Sequence, residues 1–424
     1  MATTFKHASD YLNSLLAQSG LDGFAARLKP DMEAPSPHIP GASIISLDAV
    51  DRRWKILHTS IARTELLDNH TLQQMAAYEH NIENFIGTVK LPLGIAGPLR
   101  VRGIFAQGDY YVPLATTEAA LVASYNRGSV VITEVGGAST MLLGEGVSRS
   151  PGFAFASLEE VGRFVAWMLG EQKEIQQIAE ETSRFGKMKD VQISVEGNHV
   201  YLIFIYTTGD AAGQNMATIA TEAAVAWILN NTPIKPRASY IESNFSGDKK
   251  ASVQSLQSVR GKKVTAEVHI PADIVQKRLH TTVDDMVAYA RFASLGGAMS
   301  GTLGIQGHFA NGLAAMFIAC GQDAACVAEA AIGTTRMETT GEGALYVSVT
   351  LPNLIMGSVG GGTKLPSQQA CLEIMGLAGA GHARALAEVA AALCLAGEIS
   401  IVGAICSGEF TRAHALLARG TRAK

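Results

Sequence analysis

Pro151-Gly-Phe-Ala-Phe-Ala-Ser157 opens the stretch that decides the fold, and Ala238-Ser-Tyr-Ile-Glu242 closes it. Residues 152–157 read as a strand. Residues 158–185 carry Val161, Phe164, Val165, Met168 and Leu169 on one face, the spacing of an amphipathic helix. Residues 191–195 place Val, Ile and Val at alternate positions, residues 200–206 are apolar or aromatic, and Glu196-Gly-Asn198 between them supplies turn residues, so they read as a hairpin. Residues 216–229 read as a second helix and 238–242 as a last strand. The order β-α-β-β-α-β is that of a ferredoxin-like split unit.

Outward from this unit the character changes. Residues 81–150 and 244–424 are rich in Ala and Gly and hold long apolar helical segments at 312–331 and 385–395. They read as one larger, discontinuous, helix-rich domain into which 151–243 is inserted. Residues 1–80 read as a helical N-terminal segment. Its proline-rich connector at 29–40 cannot continue a helix, and a long amphipathic segment follows at 46–78. The expected fold class is therefore α+β in three parts. A chain of 424 residues is long enough for two or three domains.

Composition narrows the function. The formal net charge is −4 and the basic residues form no long run, which argues against nucleic acid as a partner. The most apolar segments are expected to be broken by Gly, Asp or Glu before reaching membrane-spanning length, and no signal-type leader is evident, so a cytoplasmic protein without a membrane span is expected. The five cysteines (320, 326, 371, 394, 406) form no CxxC pair and suit buried reduced thiols. No metal site is expected.

Several residues suggest chemistry. In Pro113-Leu-Ala-Thr-Thr-Glu118, followed by an apolar helix and Gly128 as a stop, a lone carboxylate stands at a helix start. The helix N-terminus favours its ionised form and apolar neighbours its neutral form; ordinary first-turn acid placement is the alternative. Gly209-Asp210-Ala-Ala-Gly213-Gln-Asn215 is a glycine-containing turn opening a helix, suited to an anion such as pyrophosphate, or a simple turn. Gly357-Ser-Val-Gly360-Gly361-Gly362-Thr363 favours close backbone approach to a ligand. Asp323 interrupts an apolar helical segment, so a buried carboxylate paired with a cation is expected, and Lys249 in Gly247-Asp248-Lys249-Lys250 is the natural candidate. His414 lies on a short helical segment near the C-terminus. A carboxylic acid, a Lys–Asp pair, a histidine and two anion-friendly loops are what nicotinamide-dependent reduction of an activated carbonyl needs.

These segments, with Glu83-Asn84-Phe-Ile-Gly87 and residues 92–99, are collinear with a known family. From about residue 80 to 420 the chain resembles 3-hydroxy-3-methylglutaryl-coenzyme A reductase, in the form without a membrane anchor. The resemblance implies a catalytic set of Glu118, Lys249, Asp323 and His414. Lys249 would polarise the thioester and then the aldehyde oxygen, Asp323 would tune it, Glu118 would serve the proton network, and His414 would protonate the coenzyme A thiolate. It implies two NADPH, each giving one hydride, with NADH the alternative donor, and mevalonate as product. Asp210, Gly213, Asn215 and Gly360, Gly361 and Gly362 match its cofactor contacts, and Arg184 its arginine for the 2′-phosphate. Arg149, Asp248, Lys250, Glu83, Asn84 and Arg291 match its acyl-coenzyme A site, with Arg149 gripping the free carboxylate of the acyl group. It also implies a homodimer or higher assembly with the active site at the subunit interface.

The chain departs from the family at Ala119, Ala212 and Gln214, at Gly420 where a regulatory serine stands in animal relatives, and in the acyl pocket. There Glu242 replaces a serine, and Phe292, beside Arg291, replaces a lysine. The expected activity is NADPH-dependent reduction of hydroxymethylglutaryl-coenzyme A to mevalonate. The alternatives are reduction of a different acyl-coenzyme A or carrier-bound thioester on the same fold, and a catalytically silent coenzyme-A-binding protein.

Overall fold

The structure, a computed structural model, describes residues 2–36, 38–57, 59 and 61–409. The chain divides into two compact units, residues 1–68 with 82–87, and residues 69–81 with 88–424.

In the first unit helix Phe5–Leu28 starts at Thr4, whose hydroxyl accepts from the His7 N–H, and ends before the proline-rich connector as expected. The expected amphipathic segment at 46–78 is not one helix. Leu47–Leu57 and Ile61–Leu66 fall in this unit, and Asn69–Gln73 and a 3-10 turn at Met75–Tyr78 fall in the other. Arg53 organises the unit. It is 2% exposed and donates to the carbonyls of Pro40, Ile44 and Phe85 at 2.8–3.0 Å, so its forked donors satisfy loop carbonyls that no helix or sheet can.

The second unit mixes helices with a largely antiparallel sheet. Its strands are β1 (Leu93–Gly103), β2 (Gln107–Ala115), β3 (Ala138–Arg149), β4 (Gly152–Ala154), β5 (Lys187–Glu196), β6 (His199–Thr207), β7 (Ala238–Tyr240), β8 (Gly261–Ile270), β9 (Thr334–Thr339) and β10 (Leu345–Leu354). One part of the sheet runs β2-β1-β3-β8-β10-β9, antiparallel except that β1 and β3 are parallel. The other runs β5-β6-β4-β7, antiparallel throughout. Strand β3 joins them. Ser139–Gly146 pairs with β8, and Val147–Arg149 continues onto β6. Arg149 thus stands at the end of a strand that crosses from one part to the other.

Each part has its own apolar core. Val147, Phe153, Phe155, Phe164, Phe204 and Ile228 belong to a cluster distinct from the larger one around β8, β10 and helix Ala383–Cys406. The region expected as 158–185 holds two helices, Leu158–Gly170 and Gln172–Glu181, broken at Glu171. Val161, Phe164 and Met168 are buried as expected, while Leu169 is exposed.

Helix Ala383–Cys406 corrects the expectation about long apolar segments. At 24 residues and mean hydropathy 2.1 it has the length and composition of a membrane span, yet most of it is buried inside the fold. Its two buried acids explain why it belongs there. Glu388 accepts the N–H groups of Ile104, Phe105 and Ala106 at 2.7–3.2 Å, closing the β1–β2 turn. Glu398 accepts those of Gly307 and His308 at 3.2 and 2.7 Å. Helix Leu121–Glu134 crosses the same helix, and Gly128 is not its stop. The helix continues to Glu134, and a Cβ at position 128 would collide with the Ala396 carbonyl. The glycine is there for close approach.

Candidate active site

The turn at 209–213, the loop at 357–363 and the turn at 321–324 converge on one cleft of about 690 Å³, a volume suited to a dinucleotide. Backbone contacts build it. The N–H groups of Ser358 and Val359 donate to the Asp210 carbonyl, and Ala211 bridges Val359. The Gln322 side chain exchanges hydrogen bonds with both backbone groups of Gly357, at 2.8 and 2.9 Å. Gly213 caps helix Gln214–Asn231 with φ 82°, where a side chain would also strike Thr208. At Gly360 and Gly361 a Cβ would meet nothing within 4 Å, so both face open space in the cleft wall. A helix N-terminus and bare glycine backbone at one cleft fit a pyrophosphate.

Gly213, Asn215 and Gly360–Gly362 therefore meet as expected. Asp210 lies beside them, but its carboxylate is committed elsewhere. It accepts the N–H groups of Gly381 and Ala383 at 2.8 and 3.2 Å, at the start of helix Ala383–Cys406. Arg184 lies exposed in a bend, over the Phe185 ring, and its neighbour Ser183 reaches Met216 of the cleft wall.

The expected lysine–aspartate pair forms at the cleft. Lys249 Nζ lies 2.9 Å from Asp323 Oδ2, and Asp323 lines the cleft. The expectation that Asp323 is buried within a helix is corrected. The segment 312–331 is split into helix Phe309–Ala319, a turn through Gly321, a 3-10 turn at Ala324–Cys326 and a short helix Val327–Ala330. Asp323 caps the 3-10 turn through the Ala325 N–H, and its side chain is 37% exposed. Its hydrogen bond is the main reason that the Lys249 ammonium titrates above the ordinary lysine range.

Lys249 is held in the left-handed region, φ 56°. Its N–H donates to Glu329 Oε1 at 3.1 Å, and Glu329, fully buried, also receives Arg260 NH1 at 2.5 and 2.6 Å. Burial pushes the Glu329 carboxyl up and Arg260 pulls it back. Arg260 NH2 lies 2.7 Å from Asp248 Oδ1, Arg149 NH1 lies 2.7 Å from Asp248 Oδ2, and the same NH1 is 3.5 Å from Glu242. Although burial opposes it, the two guanidiniums hold the Asp248 carboxyl below the usual carboxylate range. Lys250 donates to the Asp248 carbonyl at 3.0 Å. Arg260 and Glu329 escaped the sequence reading because their partners lie 69 residues apart in the chain and no motif marks them.

Glu118 is not in the first turn of its helix. The helix starts at Leu121 behind Ala120, which has φ 68°. Glu118 precedes it, exposed, with its N–H on Thr116 Oγ1 and its carboxylate accepting from Asn311 Nδ2 at 2.8 Å. Asn311 is near the start of helix Phe309–Ala319 and Asp323 follows its end. The two acids are thus tied to opposite ends of one helix. Glu118 instead edges a second cavity of about 570 Å³ with His308, Ser124 and Arg127. The His308 ring stacks on Tyr125 and bonds Ser124 Oγ at 3.2 Å, and burial lowers its pKa. Arg291 and Phe292 are exposed on helix Val283–Ser300, and neither touches the Arg149 cluster among the described residues. Glu83 and Asn84 belong to the first unit, where the Asn84 N–H donates to Ala42. His414 lies outside the described residues. Among the described residues no His, Cys, Asp and Glu cluster could hold a metal ion.

The family model for hydroxymethylglutaryl-coenzyme A reductase matches residues 49–419. The chain is 41% identical over 385 residues to the 3-hydroxy-3-methylglutaryl-coenzyme A reductase of Methanothermobacter thermautotrophicus, covering 90% of this chain and 95% of that one. It is 42% identical over 374 residues to the enzyme of that name from Haloferax volcanii, covering 87% and 92%. In fold it is similar to the class II 3-hydroxy-3-methylglutaryl-CoA reductase of Streptococcus pneumoniae, solved with NADPH, at TM-score 0.63 and 18% identity over 84% of this chain and 96% of that one. The glycine-walled cleft with a lysine–aspartate pair at its edge thus sits in a chain that, over most of its length, belongs to the hydroxymethylglutaryl-coenzyme A reductase family.

Proposed function

We propose that this protein reduces 3-hydroxy-3-methylglutaryl-coenzyme A to mevalonate and coenzyme A with two NADPH. The observation that carries this reading is the Lys249–Asp323 pair at the edge of the cleft walled by Gly213 and Gly360–Gly362. NADPH bound there would supply hydride. Gly213, Asn215 and the glycine loop would hold it, with Arg184 toward a 2′-phosphate. Lys249 donates to the carbonyl oxygen and stabilises the oxyanion as charge develops. Asp323 keeps that ammonium protonated and aimed. Glu118 and His414 are assigned the remaining proton transfers, His414 to the departing thiolate.

The reading includes a domain division. Residues 151–243 form a ferredoxin-like cofactor domain inserted in a larger domain of 81–150 and 244–424, behind an N-terminal helical segment of 1–80. The separate core and the β5-β6-β4-β7 order support it. It includes a homodimer, in which a second copy brings Glu118 to the Lys249–Asp323 pair. The attachment of the two acids to opposite ends of helix Phe309–Ala319 supports this, as does the apolar stripe Phe292, Leu295 and Met299, 63–81% exposed on one helix. A cytoplasmic setting agrees with five free thiols and a buried apolar helix.

The test is NADPH oxidation with hydroxymethylglutaryl-coenzyme A beside a panel of monocarboxylic acyl-coenzyme A thioesters. Turnover restricted to the panel would refute the assignment. Lys249→Ala is expected to abolish turnover while NADPH still binds, and an active variant would remove Lys249 from the mechanism.

A further inference from the structure

Asp248 is the centre of a group of three cations and three carboxylates: its own carboxylate meets Arg149 and Arg260, these meet Glu242 and Glu329 in turn, and Lys250 donates to its backbone carbonyl. The cluster is neutral as it stands. Arg260 is closed off, 4% exposed, with Glu329 and Asp248 on its guanidinium. Arg149 retains an exposed edge, 12%, and it sits one contact away from Asp248, the chain neighbour of Lys249. Its Nε is used by Thr218 at 2.9 Å and its NH1 by Asp248 at 2.7 Å. Glu242 makes the longer contact, 3.5 Å, from a side chain 31% exposed. Glu242 is nevertheless not a loose surface acid. Its Oε1 accepts the Asn244 N–H at 2.8 Å and its Oε2 the Ser246 hydroxyl at 3.0 Å, so a tight turn aims it at Arg149.

We infer that Glu242 is a specificity-determining residue: it stands beside Arg149 as an internal competitor for the free carboxylate of the acyl group. The inference rests on the proposed activity and deepens it. A substrate with a terminal carboxylate adds a fourth negative charge to a neutral cluster, so it must displace Glu242 or face its repulsion. A substrate with an uncharged terminus meets neither cost. Glu242 therefore narrows the enzyme's preference for dicarboxylic half-thioesters and relaxes its rejection of neutral acyl groups. Removing its charge leaves the cluster one positive charge in excess, placed where a substrate carboxylate can use it.

The test compares wild type with Glu242→Gln, which keeps an acceptor for the Asn244 N–H and can donate to the Ser246 hydroxyl instead of accepting from it, and with Glu242→Ser. Two substrates are used, hydroxymethylglutaryl-coenzyme A and its analogue with the free carboxylate converted to a carboxamide. KM for the carboxylate substrate is expected to fall about three- to tenfold in both variants, with a smaller change in kcat and little change in KM for the amide. Equal shifts for the two substrates would mean a structural role and overturn the inference, as would no shift for either. If wild type turns over neither, the proposed activity fails separately. Calorimetric binding of the two thioesters then reads the same affinity split, and its absence overturns the inference on its own.

Discussion

Glu329 ties the fold to the proposed catalytic lysine, and its replacement offers a quantitative test. One buried carboxylate performs two tasks: it neutralises Arg260 and it holds the Lys249 N–H. The left-handed conformation of Lys249 costs a non-glycine residue about 1–2 kcal/mol. A hydrogen bond to a charged acceptor contributes about 1.5–3 kcal/mol, so the Glu329 contact is large enough to hold Lys249 there. Glu329→Ala removes the contact, opens a cavity and takes away one of the two carboxylates on the buried Arg260, at a cost of about 3–5 kcal/mol. Glu329→Gln keeps an acceptor for Lys249 and, because Asp248 remains on Arg260, should cost about 2 kcal/mol. The two variants should also separate in activity. A lysine displaced by about 1 Å loses roughly a hundredfold in kcat, which is expected for Ala, while Gln should stay within a few-fold of wild type. Thermal unfolding and steady-state NADPH oxidation measure the two effects. An Ala variant that unfolds earlier yet keeps full kcat would refute the link between Glu329 and Lys249, and unchanged unfolding in both variants would refute the cost assigned to the network.

Three further outcomes follow from the geometry. Burial pushes the Glu398 carboxyl up to about 7 from 4.5, so the folded state holds its proton longer than the unfolded state, and stability falls as pH rises between those values, by about 3 kcal/mol at most. Glu398→Gln should flatten that slope in melting temperatures taken from pH 4.5 to 7, and parallel curves for the two proteins would contradict the assignment. Asp323→Asn removes the main cause that raises the Lys249 pKa, so the alkaline limb of the kcat/KM profile should move to lower pH; an unmoved limb would mean that another group sets it. Gly128→Ala sets two effects against each other: helix propensity favours alanine by about 1 kcal/mol, but the new methyl group meets the Ala396 carbonyl, and overpacking of this kind costs about 1–3 kcal/mol or more. A lower melting temperature is expected, and a higher one would show that the two helices separate at little cost.

Local order was readable where the residues themselves carry the signal. Phe153, Phe164, Val200 and Phe204 show it by their apolar spacing, and Glu196-Gly-Asn198 by its turn chemistry, so the strand order from β4 to β7 could be read directly, though not the break at Glu171. That the Gly213 and Gly360–Gly362 segments serve one cleft was implied only by the family resemblance, because the turn at 209–213 taken alone also fits a simple turn. The helix through Asp323 was misjudged. The apolar run 312–331 is buried by tertiary contacts, and the Gly321–Gly362 approach that breaks it joins loops far apart in sequence. Gly128 was misjudged for a related reason: a glycine needed for helix–helix contact looks, in sequence, like one that ends a helix.

By itself, then, the sequence determined the lysine, aspartate and glycine segments of the candidate site, their order and the family to which the chain belongs, because short-range pattern and motif order are local properties. Only the tertiary structure decided which charges meet. Asp210 is spent on a helix start, Glu329 holds Lys249 through a backbone bond, and Glu242 reaches Arg149. Coulomb energy depends on separations of a few ångströms and on local burial, and pairing across 69 to 173 residues leaves no mark in either partner's neighbourhood.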